Sequence, residues 1–116
     1  MQPTSNPRML LPLGVASFHI LLALAEGERH GYAIIKEVDA TTAGAIKLGP
    51  GTLYRVIKQM LVDGWIEEIE DAEEARRRTY RLTRWGTRIA AAEAARLDEL
   101  VRLARQRRLL PALAPG

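Results

Sequence analysis

The chain has 116 residues, enough for one domain with a modest core, and its hydrophobic fraction of 47% is that of a folded protein. It contains no cysteine, which excludes a disulfide scaffold, a thiolate zinc site and a cysteine nucleophile together. Net charge is only +3, yet 11 of the 17 basic residues lie between Arg76 and Arg108, all of them arginine, and six of the 14 acids lie between Glu67 and Glu74. Placement, more than total charge, points to a polyanionic partner, although a solvated helix face accounts for part of the arginine run.

Residues 1–13 hold three of the six prolines and read as a loose arm suited to lie on a second subunit. The apolar run from Met9 to Ala25 follows Arg8 and ends in Ala23-Leu24-Ala25, a pattern that imitates an export signal. Pro12, Gly14, Ser17 and His19 interrupt it, and it is short for a membrane span. It is read instead as a first helix over 15–25 with Val15, Phe18, Leu21, Leu22 and Ala25 on its inner side, in a cytoplasmic protein without a membrane segment. Residues 26–31 form a turn. Tyr32 to about Thr42 is a second helix that buries Ile34, Ile35 and Val38. Gly44 and Gly49 break the periodicity of the connection that follows.

Residues 49–65 carry start, body and stop signals of a third helix. Pro50 suits the first helical position, where its missing N–H leaves nothing unpaired. Leu53, Val56, Ile57, Met60 and Leu61 recur at helical spacing as one apolar face, and Gly64 supplies the left-handed stop. The other face presents Thr52, Arg55, Lys58 and Gln59, a set suited to a DNA major groove. Any amphipathic surface helix shares that pattern, so the flanking elements decide. Trp65–Glu70 and Arg77–Thr83 read as two strands joined by the acidic loop Asp71–Ala75. Tyr80 and Leu82 share one face, with Arg77, Thr79 and Arg81 on the other. Ile66 and Ile69 differ in parity, so the first strand is either bulged or short. Glu67, Glu68 and Glu70 are placed to meet arginines across the hairpin.

From Trp85 to about Leu109 no breaker follows Gly86, and a helix of about seven turns results. Its stripe of Ile89, Ala92, Leu97, Leu100, Val101 and Ala104 is too long for so small a core to cover, and its natural partner is another copy of itself. Pro111 and Pro115 end the helix. The expected fold is mainly α with a small β-hairpin. An arm (1–13), a winged helix-turn-helix domain (14–84), a dimerisation helix (85–110) and a tail (111–116) follow in order.

Three signatures recur in that framework: His30-Gly31-Tyr32 at the second helix; Gly51-Thr52-Leu53-Tyr54-Arg55 followed by Leu61 and Gly64-Trp65-Ile66; and Arg78-Thr79-Tyr80-Arg81-Leu82-Thr83 with Gly86. In this order and spacing, from about residue 16 to residue 90, the chain resembles the PadR family of bacterial transcriptional regulators. The match is to its smaller subgroup with a single C-terminal helix. The resemblance implies a homodimeric DNA-binding repressor, often of detoxification, efflux or stress genes, which in some relatives a ligand entering between the subunits releases. Two features depart from the family. Gly49 stands where a small hydroxyl residue is common, a weaker helix cap. The wing tip, Asp71-Ala72-Glu73-Glu74, is acidic, and phosphate would repel it from a minor groove.

Arg55 and Lys58, with Thr52, are the candidates for reading or positioning double-stranded DNA at a pseudo-palindromic operator; arginine bonds a guanine edge bidentately and lysine more often sits on phosphate. Tyr54 combines a packing ring with a hydroxyl that can donate to phosphate. Tyr32 opens the second helix, whose free N–H groups favour a phosphate, and either tyrosine has packing as its plainer role. Lys47 is a candidate backbone contact ahead of the third helix, as are Arg76, Arg77 and Arg78 on the wing. Trp65 plugs the core beneath the wing. Trp85 either seals the wing or lines an inter-subunit cavity for a small hydrophobic or aromatic effector.

His19 and His30 are the only histidines, too few ligands for a metal site, and no cofactor is expected. Catalysis lacks its parts: there is no Ser/His/Asp set, Gly49-Pro50-Gly51 has no Lys-Ser/Thr at phosphate-loop spacing, and the carboxylates at 67–74 are sequential on a hairpin. The competing function is a winged helix that binds protein instead of DNA, which the acidic wing tip favours and the Arg55/Lys58 face opposes.

Overall fold

A mostly apolar run forms the first helix, α1 (Val15–Ala25), in the computed structural model, which describes residues 6–70 and 78–113. The run is apolar almost all round, so packing and not periodicity selects its inner face. Ile20, Leu21, Ala23 and Leu24 are buried, whereas Val15 and Leu22, expected inward, are exposed. The helix is wedged between α2 (Gly31–Thr41), β3 (Thr79–Leu82) and α4 (Arg84–Gln106), which accounts for the difference.

The turn expected at 26–31 contains a short strand, β1 (Arg29–His30), that pairs with β3 through Arg29–Tyr80 and His30–Thr79. Side chains fasten it. His30 Nδ1 and Thr79 Oγ1 share a hydrogen bond of 2.9 Å, and Arg29 Nε donates to the Ala23 carbonyl at 2.8 Å. The same guanidinium meets Glu37 at 3.6 Å, tying the turn to α2. Thr79 is consequently buried as well as Tyr80, its neighbour on the opposite face of the strand.

Helix α3 (Pro50–Val62) starts at its proline behind Gly49, which offers no side-chain cap. It buries Leu53, Ile57 and Met60, with Val56 and Leu61 packed at the edge of the core. Gly64, at φ +76°, turns the chain, and the Trp65 amide closes the end on the Met60 carbonyl at 2.9 Å. β2 (Ile66–Ile69) then pairs antiparallel with β3 in unbroken register from Ile66–Leu82 to Ile69–Thr79, so of the two expectations the short strand holds and the bulge does not. The sheet order is β1-β3-β2, three strands where a two-stranded hairpin was expected. Glu67 meets Arg81 at 2.9 Å and Glu68 meets Arg78 at 3.8 Å across the pair. The acidic loop, with Arg76 and Arg77, lies outside the described residues.

Thr83 caps α4 by accepting the Gly86 amide at 3.0 Å, and its hydroxyl reaches the carbonyls of Gly64 and Trp65 at the exit of α3. Ile89, assigned above to the dimer stripe, is fully buried in this chain's own core, because the first turns of α4 pack on α1 and β3. Ala92, Leu97 and Ala104 are half-buried, and Leu100 and Val101 are exposed.

The arm is docked from residue 6 onward, where a loose segment was expected. Asn6 caps a single 3-10 turn (Pro7–Leu10) that packs on α4, and the Leu13 amide donates to Glu93 Oε2 at 3.0 Å. Glu93 is 2% exposed, and Arg96 holds its two oxygens at 2.6 and 3.0 Å. The Arg96 hydrogen bond, aided by the Leu13 amide and opposed by burial, keeps the Glu93 carboxyl below the usual glutamate range. A carboxyl lowered in the folded state contributes stability above its ordinary pKa and loses it as pH falls through the lower folded value. Thermal unfolding followed from neutral to acid pH is therefore expected to show a destabilisation in the wild type that Glu93→Gln removes. At neutral pH Glu93→Ala is expected to cost about 1–3 kcal/mol, the worth of a charged acceptor lost from a buried amide.

Candidate nucleic-acid interface

Burial of Leu53, Ile57 and Met60 turns Thr52, Arg55, Lys58 and Gln59 outward on α3, and all four are exposed. Gln59 is engaged within the chain, donating to Asp63 Oδ2 at 3.0 Å. Among the described residues neither Arg55 nor Lys58 forms an ion pair, so both cations face solvent uncompensated. The connection ahead of α3 is ordered by Thr42, whose hydroxyl donates to the Val38 carbonyl at 2.7 Å and accepts the Ile46 amide at 3.1 Å. With Leu48 buried beside it, Lys47 is presented outward at the start of α3.

A second group of candidates converges beside α3. Tyr32 is 68% exposed and Tyr54 48% exposed, an unusual display of large rings. They flank a cleft of about 800 Å³ between the start of α2, α3 and the base of the wing, whose lining includes His30, Lys36, Arg78 and Tyr80. The Lys36 ammonium lies 5.5 Å from the Tyr32 ring centre, a cation–π separation. Tyr80 is buried at the back of the cleft. Burial, with lesser contributions from Glu68 and Tyr54 and against the pull of Arg78, raises its phenol further above the ordinary value, which keeps it neutral.

Gly31 sets the geometry of this cleft. The Tyr54 hydroxyl and ring edge lie where a Cβ on residue 31 would stand, so glycine there lets the Tyr54 ring rest against the start of α2. Gly31→Ala is expected to push the half-exposed ring outward at a small cost in stability, about 1 kcal/mol or less, because the displaced atoms are the far end of an exposed side chain. Chemical denaturation checks the stability, and the intrinsic fluorescence of the tyrosines reports the displaced ring.

Arg78 is exposed at the foot of β3 and joins the cleft, while Arg76 and Arg77 lie outside the described residues. Trp65 and Trp85 are both half-buried against the core. The Trp85 ring carries the Arg88 guanidinium 5.2 Å from its centre. Sequence reasoning missed Lys36, whose signal was its position four residues after Tyr32 on one helical face.

The family model described as the transcriptional regulator PadR-like family matches residues 20–92. The chain belongs to the PadR-like family. Its members are transcriptional regulators and not enzymes, and the chain has the family's winged-helix DNA-binding fold. The fold of this PadR-like chain is shared by a transcriptional regulator from Clostridium thermocellum, with TM-score 0.68 and 24% identity over 78% of this chain and 89% of that one. A PadR family transcription regulator from Clostridium difficile R20291 has TM-score 0.68 and 22% identity over 80% and 97%. Bacillus subtilis PadR, solved in complex with operator DNA, has TM-score 0.62 and 22% identity over 70% of this chain and 47% of that one. No curated protein sequence matches the chain.

Proposed function

We propose that the protein is a homodimeric, cytoplasmic repressor of the PadR type, in which the α3 helices of two subunits enter successive major grooves of a pseudo-palindromic operator. The observation that carries this reading is the exposed Thr52–Arg55–Lys58 face, with both cations free of acidic partners among the described residues, on a helix that lies beside the wing of a PadR-like fold. Arg55 reads a base edge, and Lys58 and Lys47 sit on the backbone. Two-fold related α3 helices about 34 Å apart match one helical turn of DNA. The α4 helix supplies the dimer contact. It leaves Leu100, Val101 and Leu103 exposed in the single chain, a patch that a second α4 covers. Bound protein then blocks polymerase.

An effector releases the DNA only if it binds a dimer with mismatched groove spacing more tightly than the DNA-bound form. A small hydrophobic or aromatic molecule near Trp85, between the subunits, suits that role; the similar PcaV regulator of Streptomyces coelicolor was solved with its natural ligand.

The test is fluorescence anisotropy with the DNA upstream of the protein's own gene against scrambled DNA, at two salt concentrations. Selective binding with a steep, linear loss of log affinity against log salt supports the reading. Absence of binding to either DNA at low salt moves the function to a protein-binding winged helix. A monomer at micromolar concentration in analytical ultracentrifugation removes the dimer.

A further inference from the structure

We propose that the groove between the N-terminal arm and α4 is the seat of residues 109–113 of a second copy of this chain, so that each subunit's C-terminal hook fills the other's groove. The proposal rests on the homodimer reading above and adds to it the direction of pairing and the segment exchanged.

The groove has a volume of about 890 Å³. One wall is the arm, at Pro7, Arg8 and Leu11, and the floor is α4, at Ala92, Ala95 and Glu99. The α4 face that floors the groove continues at helical spacing to Leu103 and Gln106. One end of that face therefore has room, and the other carries a leucine without cover. Beyond Gln106 the chain turns back. Arg108 has φ +63°, the Leu109 amide donates to the Ala104 carbonyl at 2.9 Å, and Arg105 Nε donates to the Pro111 carbonyl at 2.8 Å. Hydrogen bonds order this hook, yet it displays Leu109 and Leu113 at 77% and 75% exposure. Large apolar side chains held in place and left in solvent suit a surface that a partner covers. Met9 and Leu10 on the arm are uncovered in the same way. Arm and hook both lie outside residues 20–92, the span that the family model matches, so the contact belongs to the ends of this chain and not to the shared winged helix.

Antiparallel pairing brings these parts together. Leu100 is where the groove ends and the uncovered half of the face begins. About a two-fold axis near Leu100, each residue beyond it faces one as far before it. Ala92 lies about 12 Å along α4 on one side of Leu100, and the helix end at Gln106 lies about 9 Å on the other. The partner's hook, one step past its own helix end, thus arrives over Ala92 and beside the arm. Its leucines fill the space that alanine leaves, as close packing requires. Charge favours the same direction. Glu99 has no ion-pair partner among the described residues. Parallel pairing would set it against its own copy and leave both grooves empty, whereas antiparallel pairing sets it beside the partner's Arg102.

The chain has no cysteine, so single cysteines report the contact without interference. Arg8→Cys on the groove wall and Leu109→Cys on the hook both change exposed residues. The full-length variants are co-expressed and mildly oxidised. The expected result is a covalent dimer in the mixture that neither variant forms alone. Leu109→Glu, without cysteines, is expected to weaken dimerisation at least roughly tenfold in analytical ultracentrifugation, as for a lost apolar anchor, with helical content by circular dichroism unchanged.

Leu109→Cys cross-linked to itself overturns the proposal in favour of parallel helices. Absence of any cross-link in a mixture that still dimerises, with wild-type dimer affinity in Leu109→Glu, also overturns it, leaves the homodimer reading standing and gives the groove to a different occupant. A wild type that is monomeric at micromolar concentration ends both readings.

Discussion

Arg55→Glu is expected to abolish operator binding while leaving secondary structure, thermal stability and oligomeric state as in the wild type. The side chain is exposed on α3 and has no acidic partner among the described residues, so its removal leaves no buried charge behind. On the proposed reading the change acts twice at the groove. A bidentate guanine contact worth about 1–3 kcal/mol disappears, and a carboxylate is brought against a phosphate-lined surface. Together these amount to at least roughly a hundredfold in affinity. Arg55→Lys separates the two effects, because it keeps the charge and loses the fork. It is expected to hold most of the affinity for scrambled DNA and to lose discrimination. Anisotropy titrations of the variants against both duplexes read these quantities, and an Arg55→Glu protein that still selects the operator would show that α3 does not read it.

Gly86→Ala is expected to be the most damaging single methyl group in the chain. Residue 86 is buried in the first turn of α4, in ordinary helical backbone where alanine is intrinsically favoured by about 1 kcal/mol. Yet an added Cβ overlaps the Trp65 carbonyl, which is backbone and cannot rotate aside. That carbonyl also accepts the Thr83 amide at 3.1 Å and the Thr83 hydroxyl at 3.0 Å, so moving it disturbs the cap that joins α3, the wing and α4. A loss of about 3 kcal/mol or more follows, a large part of the stability of a small domain, and a fall of roughly 10 °C or more in Tm. Circular dichroism melts check it. Gly51→Ala is the control, since its Cβ meets nothing within 4 Å, and it is expected to melt at or above the wild-type temperature. Equal melting of the two variants would contradict the close approach at residue 86.

The legible parts of this protein are those in which local chemistry and packing agree. Pro50, the Leu53–Ile57–Met60 face and Gly64 specify α3 without help from the rest of the chain, and the outward set on the opposite face follows automatically. Elsewhere packing makes choices that periodicity cannot. Helix α1 has the expected bounds, but an apolar residue lies on nearly every side, so its neighbours and not its pattern decide that Leu24 goes in and Leu22 stays out. Strand β1 is two residues long and consists of Arg29 and His30, with no alternation to detect; a hydrogen bond to Thr79, 49 residues away, holds it. Nothing local in the sequence marks Glu93 as buried: it lies four residues after buried Ile89, and the amide that it accepts is 80 residues away. The candidate site divides in the same manner. The α3 residues are visible in one helical window, whereas the cleft needs α2, α3 and the wing folded together before Lys36, Tyr54 and Arg78 become neighbours.

Strand β3 is bonded on both of its edges, to β1 and to β2. Mechanically it is a keystone. The wing cannot tilt relative to α2 without breaking the Arg29–Tyr80 and His30–Thr79 pairing, nor swing from α3 without pulling on Thr83. The chain is therefore built as a single lever, with α3 and the wing fixed together at its tip. In the proposed dimer, a small rotation where two such levers meet would become a large displacement at the DNA, which would put control of the operator in the hinge between subunits and not in the hand that grips it.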